Sequence, residues 1–586
     1  MLGERGPQRG LFEADHLYGD FVGRGSFYGF LASQRGVLFR DQDFAKLYCL
    51  TNGRASVPPS LLAMALVLQT YDRVSDEEAK QRADFDLRWK VALGVAVDAR
   101  PFAKSTLQEF RAQLVVHEAQ QAIFQKSLEQ AKRQGYFRGK KPLRVALDTT
   151  AILGRGAVKD TYNLLADGIR QVLRVLAAQA GEDLEVWATR EGFDRYVAEQ
   201  SLKGQAAINW DDPKERRRFL RGVVAEGDRV LELVRQARSQ QEPDSAGDQA
   251  LAETAGLLSR VLAQDIERPE AGPELRQGVA RDRMPSVHDP EMRHGRKSKA
   301  QRFDGHKAQV TVDTESQLIT AVATLSGNAA DHEQALAMVE ATEAATGVGV
   351  EETIADCAYG DGATRQAFSE AKRSLVAKVP AMTNQGCFPK TAFVIDLAAG
   401  SCSCPAGQVS TDLRPRGTGG GVFRFPVEVC ARCPLRAQCV RGRRGRTVQV
   451  HPQEGLLQAA RRLQASAAFA EYRRLRQVVE HRLARLVQLG IRQARYCGKA
   501  KTLFQLAMAA AVANLTLLAG RAGLVGDPPF PPENLGLLMA SMMGFVLAVA
   551  ACGPAPAFAG APSRQHPSRS DSTRRPILNP TYRPHF

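Results

Sequence analysis

The chain has 586 residues, more than one hydrophobic core usually serves, so several domains are expected. Its 44% hydrophobic and 24% charged residues are ordinary for a soluble globular protein and exclude a wholly disordered or fibrous chain. Against that background, 79 Lys and Arg outnumber 63 Asp and Glu by 16. Much of the excess is local: between Cys430 and Ala500, 16 Lys or Arg face three Glu, a net of +13. Such a concentration favours a polyanion, nucleic acid first among them, over a solvated basic face with no partner.

The first 20 residues, "MLGERGPQRGLFEADHLYGD", lack an apolar core segment, so the body of the protein is expected to be cytoplasmic. Residues 1 to about 135 read as helical. Apolar positions recur at three and four after Pro58-Pro59, and Ser105 and Gly135 bracket a further helical stretch. In "PLRVALDTT" Leu143, Val145 and Leu147 alternate with Arg144, Ala146 and Asp148, which predicts a strand. Helical periodicity returns from 160 to about 280, and a Pro- and charge-rich loop follows at 267–300. "HKAQVTVDTESQLITAVATLSGN" predicts a hairpin, "DHEQALAMVEATEAATG" a helix ending at Gly347, and "EETIADCAYGDG" a short strand. "SLVAKVP" offers one more strand. Residues 383–450 are rich in Cys, Gly and Arg with little periodicity, and a long helical region runs from about 454 to 519. Leu535–Cys552 is an uncharged run of 18, borderline for a membrane span, and is expected to belong to a non-essential tail.

With the helical insertion removed, the order from 143 to 380 is strand, hairpin, helix, strand. That is the order of the ribonuclease-H-like fold, in which the first and fourth strands lie side by side and parallel. Asp148 ends the first and Asp356 ends the fourth, so both carboxylates are expected at one sheet edge. A third acid should come from a later helix. In "FAEYRRLRQVVEHRLARLVQLG", Tyr472, Arg476 and Glu480 share a face beside the apolar stripe Leu475, Val479, Leu483 and Leu486, and Gly490 stops the helix. Glu480 borders that stripe and is expected to point toward the sheet edge. Two Asp and one Glu are hard oxygen ligands of the kind that hold two Mg²⁺ ions roughly 4 Å apart for phosphodiester chemistry. Taken singly, each acid has a plainer role, as a turn residue or a helix-surface ion pair.

Together the segments resemble the DDE transposases of insertion sequences, closest to the group numbered eleven-eighty-two. The resemblance covers roughly residues 35–520 and rests on "FAKLYCLTNGRASVPPSLLAMALVLQTYDRVSDEEAKQRADFDLRWKVALG", "ALDTTAILGRGAVKDTYNLL", "DGHKAQVTVDTESQLITAVATLSGNAADHEQA", "ADCAYGDG" and "YRRLRQVVEHRLARLVQLGIRQARYCGKAKTLFQLAMAAAVANL". It implies Asp148, Asp356 and Glu480 as catalytic, Mg²⁺- or Mn²⁺-binding residues, two ions per site, and a dimer or larger assembly on paired DNA ends. One departure stands out. Related transposases often carry Tyr, Arg, Glu and Lys at set spacing on the last helix. Here Arg476 and Glu480 fit, Tyr472 is one residue too far away, and Val487 stands at the Lys place.

Five of the ten cysteines fall between Cys402 and Cys439, a clustering that suggests a metal site in a reducing compartment. Cys404, Cys430, Cys433 and Cys439 are the expected ligands of a structural Zn²⁺, with Cys402 the spare or the substitute for Cys404; an iron–sulfur cluster is the weaker alternative. Arg443, Arg444, Arg446, Arg476, Arg492, Arg495 and Lys499 are the expected DNA-backbone contacts. Tyr496 is either a stacking platform or packing, and His306 is expected to be structural. The fold class expected is mixed α+β and α/β: an all-α DNA-binding domain at 1–135, then a ribonuclease-H-like catalytic domain at 140–520. That domain carries a helical insertion at 160–280 and a zinc module at 385–450, and the tail occupies 521–586. The expected function is cleavage and joining of double-stranded DNA at element ends and targets, by a nucleoid-associated protein with no membrane partner. A non-catalytic DNA-binding derivative and a plain nuclease of the same fold are the alternatives.

Overall fold

A computed structural model describes residues 1–6, 12–49, 53–139, 141–298, 300–380, 383–417 and 419–521. The apolar run at 535–552 and the rest of the expected tail lie outside the described residues. The chain divides into two compact units, one formed by Met1–Ala65, Asp76–Ala112 and the residues from Thr516, the other by Leu66–Ser75 and Gln113–Leu515.

The first unit is helical. Its short Leu87–Leu93 helix shows why: Asp86 caps the start by accepting from Arg88 N at 2.9 Å, and Gly94 ends it with φ of 63°. Trp89, Phe30 and Phe44 are buried, and Phe44 meets Phe110 edge-on at 5.5 Å. Arg111, 1% exposed, pairs with Asp76 at 2.9 Å, so that its charge is not left alone in the core.

The second unit is built on a mixed sheet. Its strands are β1 (Leu143–Leu153), β2 (Arg293–Arg296), β3 (Arg302–Asp313), β4 (Ile319–Ser326), β5 (Val350–Ala355) and β6 (Ser374–Val376), in the order β4-β3-β1-β5-β6 with β2 on the first residues of β3. β3 runs antiparallel to β1, whereas β5 and β6 run parallel to it and to each other. Val145 and Leu147 face the Ala335–Thr346 helix through Met338 and Val339. Asp148, on the other face, meets the Phe469–Leu486 helix. Covered on both sides, β3 is buried almost throughout. Gly305 is required where β3 crosses the end of β1: its φ is 150°, and a Cβ there would lie 2.2 Å from Ile152 O.

The insertion between β1 and β2 packs the helices Thr161–Gln179, Pro213–Ser239 and Ala246–Asp265 around a core of its own, including Ile169, Val172, Val223, Val230 and Leu258. Residues 394–450 hold two three-stranded sheets of very short strands over a small core of Phe393, Cys402, Phe423, Phe425, Val448 and Val450. The helices Glu454–Ala465, Phe469–Leu486 and Lys499–Arg521 complete the described chain. The last of these is long and apolar enough to cross a membrane, yet 72% of its most apolar window is buried inside the protein, as befits a core helix.

Candidate active site

Leu147 of β1 pairs with Ala355 of β5, so the next residue on each of these adjacent parallel strands is an aspartate. Asp148 is largely buried and accepts from Thr149 N at 2.7 Å. Asp356 leaves the sheet and caps the turn Cys357–Tyr359, accepting from Ala358 N at 2.8 Å. The Phe469–Leu486 helix lies across β1 with Val479, Leu483 and Leu486 buried, and Gly490, at φ of 95°, turns the chain just beyond it. From this helix the Arg476 guanidinium comes within 3.5 Å of Asp148 Oδ2 and donates its other arm to Glu480. Glu480 stands further out than its place beside the apolar stripe suggests, with 47% of its side chain exposed.

Electrostatics tie the acids together. Burial, with the negative charges of Asp356 and Glu480, pushes the Asp148 carboxyl up to about 6, against the pull of Thr149 N–H and Arg476. Burial and the charge of Asp331 raise the carboxyl of Asp356, opposed by Ala358 N–H and Arg476. Arg476 thus acts as the counter-ion of a carboxylate cluster that is short of positive charge. Among the described residues no set of three or more His, Cys, Asp or Glu side chains stands ready to hold a metal ion. The donor set, hard carboxylate oxygens at one sheet edge, is nevertheless of the type Mg²⁺ prefers.

Two families match the chain: a Transposase domain (DUF772) over residues 26–113 and a Transposase DDE domain over residues 403–519. Together, and in that order, they support an insertion-sequence DDE transposase. No curated protein and no solved structure matches. A DDE domain implies a ribonuclease-H-like fold, and the chain carries a mixed sheet beside its helical first unit. The DDE match spans Glu480 and four of the five clustered cysteines, Cys404, Cys430, Cys433 and Cys439; Asp148, Asp356 and Cys402 lie before it.

Other contacts that hold the site were not read from the sequence. Arg144 of β1 pairs in register with Glu352 of β5 and bonds it at 2.8 Å, while its other arm reaches Glu471 at 2.9 Å. Tyr472 donates its hydroxyl to Glu352 at 2.9 Å and packs under the Arg144 guanidinium, 5.5 Å from ring centroid to cation. The tyrosine out of step with the family spacing therefore serves as a tether for its helix. Opposite charges on neighbouring strands were the available signal, readable only once register is known. Asp331 is a fourth acid near Asp356, bonded to Lys307 at 2.7 Å. Gln309 joins the Asp331 carbonyl at 2.7 Å to the buried Tyr359 hydroxyl at 3.2 Å.

The basic residues divide. Arg443 and Arg444 are exposed. Arg446 turns inward, donating to Phe388 O at 2.9 Å and Cys439 O at 3.2 Å. Arg492 reaches Thr150 Oγ1 and Ala151 O, both at 3.4 Å, and Arg495 reaches Val74 O at 3.3 Å. The Lys499 backbone N–H donates to Glu291 at 2.7 Å. The segment carrying them extends the sheet: Leu153 N donates to Arg492 O at 2.9 Å, and Ala494 N donates to Leu153 O at 2.7 Å. Tyr496 is buried and packs on Phe504. His306 is fully buried, its Nε2 3.5 Å from Asp289.

In the cysteine-rich module, burial raises the Cys439 thiol, and Cys430, Cys404 and Cys433 all lie near enough to add to the shift. Cys402 is buried in the module's core, its thiol pushed up to about 11 by burial. These thiols are among the described residues in which no group of three or more His, Cys, Asp or Glu is placed to hold a metal ion.

Proposed function

We propose that this transposase binds the ends of its own element, hydrolyses the phosphodiester there and joins the freed 3′-hydroxyl to target DNA. The observation that carries the reading is the paired step Leu147–Asp148 beside Ala355–Asp356 on adjacent parallel strands, with Glu480 linked to Asp148 through Arg476. Asp148, Asp356 and Glu480 would hold Mg²⁺ or Mn²⁺, which when bound supplies activation of the attacking oxygen and charge neutralisation on the leaving oxygen. Arg476, free to swing from its carboxylates to a phosphate, would bring the backbone to them. Arg443, Arg444, Arg492, Arg495 and Lys499 would track the strand, and a dimer or larger assembly would hold paired ends. The helices of residues 1–135 would recognise those ends. We assign Zn²⁺, as a structural ion, to Cys404, Cys430, Cys433 and Cys439, on the support of four neighbouring thiols over a small core.

The test is nicking of a plasmid that carries the gene with its flanking DNA, by wild type and Asp356→Asn, in Mg²⁺ and in EDTA. Metal-dependent cuts at the flanks that vanish in the variant support the reading. Binding without cutting under every metal condition refutes it and favours a DNA-binding derivative. Cutting without joining favours a plain nuclease.

A further inference from the structure

The helical insertion contains a cavity of about 360 Å³ whose lining includes Tyr162, Lys203, Trp210, Arg216, Arg217 and Glu274. One side is aromatic. The Trp210 ring stands edge-on to Tyr162 at 5.3 Å and to Phe219 at 5.7 Å, an arrangement that fixes the indole while leaving it half-buried. The rim is cationic. Lys203 Nζ lies 5.0 Å from the indole centroid, and Arg216 and Arg217 are exposed on the first turns of the Pro213–Ser239 helix. Among the described residues no hydrogen bond or ion pair engages the guanidinium of Arg216, Arg217 or the adjacent Arg218. Of the nearby acids, Asp212 accepts from Lys214 N at 2.8 Å and Glu215 from Asn209 N at 2.6 Å, which leaves Glu274 as the one acid of the lining, against three cations.

A core needs its tryptophan buried, and a solvated basic face needs no tryptophan. We infer that this cavity takes an unstacked nucleotide of single-stranded DNA, its base against Trp210 and its phosphates on Lys203, Arg216 and Arg217. Such a ligand carries in one molecule the flat π-face and the anionic charge the cavity answers. A paired base offers no free face, and the volume is near the lower end for small-ligand sites, suited to a nucleotide and not to a duplex. An acidic peptide would satisfy the arginines but leave the indole unused. The inference goes beyond the catalytic reading and requires neither Asp148 nor a metal.

The test uses the full chain carrying Asp356→Asn and measures tryptophan fluorescence on titration with oligothymidylate. Of the three tryptophans, Trp89 and Trp187 are 0% and 7% exposed, so quenching by a stacked base reports Trp210. Expected are quenching by oligothymidylate, none by an abasic strand of equal length, and about tenfold weaker binding in Lys203→Ala/Arg216→Ala/Arg217→Ala, which keeps Trp210 as the reporter. Trp210→Tyr, which keeps a π-face but not the reporter, is followed by polarisation of a dye-labelled oligothymidylate and is expected to bind within about threefold of the parent. Equal quenching by the abasic strand, or unaltered affinity in the triple variant, overturns the site. Quenching that stands while plasmid nicking fails would retain this site and remove the catalytic reading, and the reverse pair would do the opposite.

Discussion

Asp148→Asn tests the electrostatics of the acid cluster without any DNA. In the folded, metal-free protein burial and neighbouring acids hold the Asp148 carboxyl at about 6, against an ordinary 3.8. The folded state therefore takes up a proton that the unfolded chain has already lost. Stability declines as pH rises from about 4 to about 6, and above that the deficit is complete. At roughly 1.4 kcal/mol per unit the deficit is of order 3 kcal/mol, and part of it is offset when the variant gives up the attraction of Arg476. Asparagine keeps an oxygen for Thr149 N–H but carries no charge. The variant is expected to melt a few degrees above wild type at pH 7 by calorimetry in EDTA, with no difference below about pH 4. Mg²⁺ should then raise the melting temperature of wild type and leave the variant unmoved. A variant less stable than wild type at pH 7, or a difference independent of pH, would refute the claim that the acids burden one another.

Other substitutions probe the parts that hold the site. Tyr472→Phe removes the hydroxyl donated to Glu352 and should cost about 1 kcal/mol by thermal denaturation, with a larger fall in nicking than in DNA binding. Gly305→Ala should cost about 3 kcal/mol or more and yield little soluble protein on expression, because the added methyl meets Ile152 O. Glu454, 1% exposed, joins Lys390 to Arg461, and despite burial these bonds and that from His451 N hold its carboxyl below the ordinary 4.5. The stability it contributes is present above that value and lost as pH falls through the folded one. Glu454→Gln should thus lose roughly 3 kcal/mol at pH 7, and the gap to wild type should narrow in acid melts. Elemental analysis of the purified protein should find one zinc per chain, lost in Cys430→Ser/Cys433→Ser; a wild type free of zinc refutes the assignment.

What the sequence revealed follows from the length scale of each signal. β1 was legible because Leu143, Val145 and Leu147 alternate, but it runs on to Leu153 in pairing with β3, so Asp148 lies within the strand and does not end it. Only Asp356 follows its strand, and the strand order makes the two neighbours. The stripe Val479, Leu483, Leu486 located the helix that carries the third acid. By contrast, the bonds among Arg144, Glu352, Glu471 and Tyr472 depend on strand register and helix angle, which no local pattern encodes. The strands at 394–450 are two to four residues long, too short for alternation to show. Arg446 reads as basic surface until Phe388 and Cys439 present their carbonyls to it. Trp210 joins Tyr162, Lys203 and Arg216 only after the insertion has folded.

The helix bearing Glu480 is fastened to β1 near both ends, by Arg144 to Glu471 before it and by Leu153 to Arg492 and Ala494 after it. This has a consequence for the timing of synthesis. A ribosome adding about 5–20 residues per second needs on the order of half a minute to pass from Asp148 to Ala494. Through that interval the growing chain holds one or two acids with neither the third nor its second fastening. The helical residues before 135, to which we assign recognition of the ends, emerge first, so on that proposal binding would precede cutting.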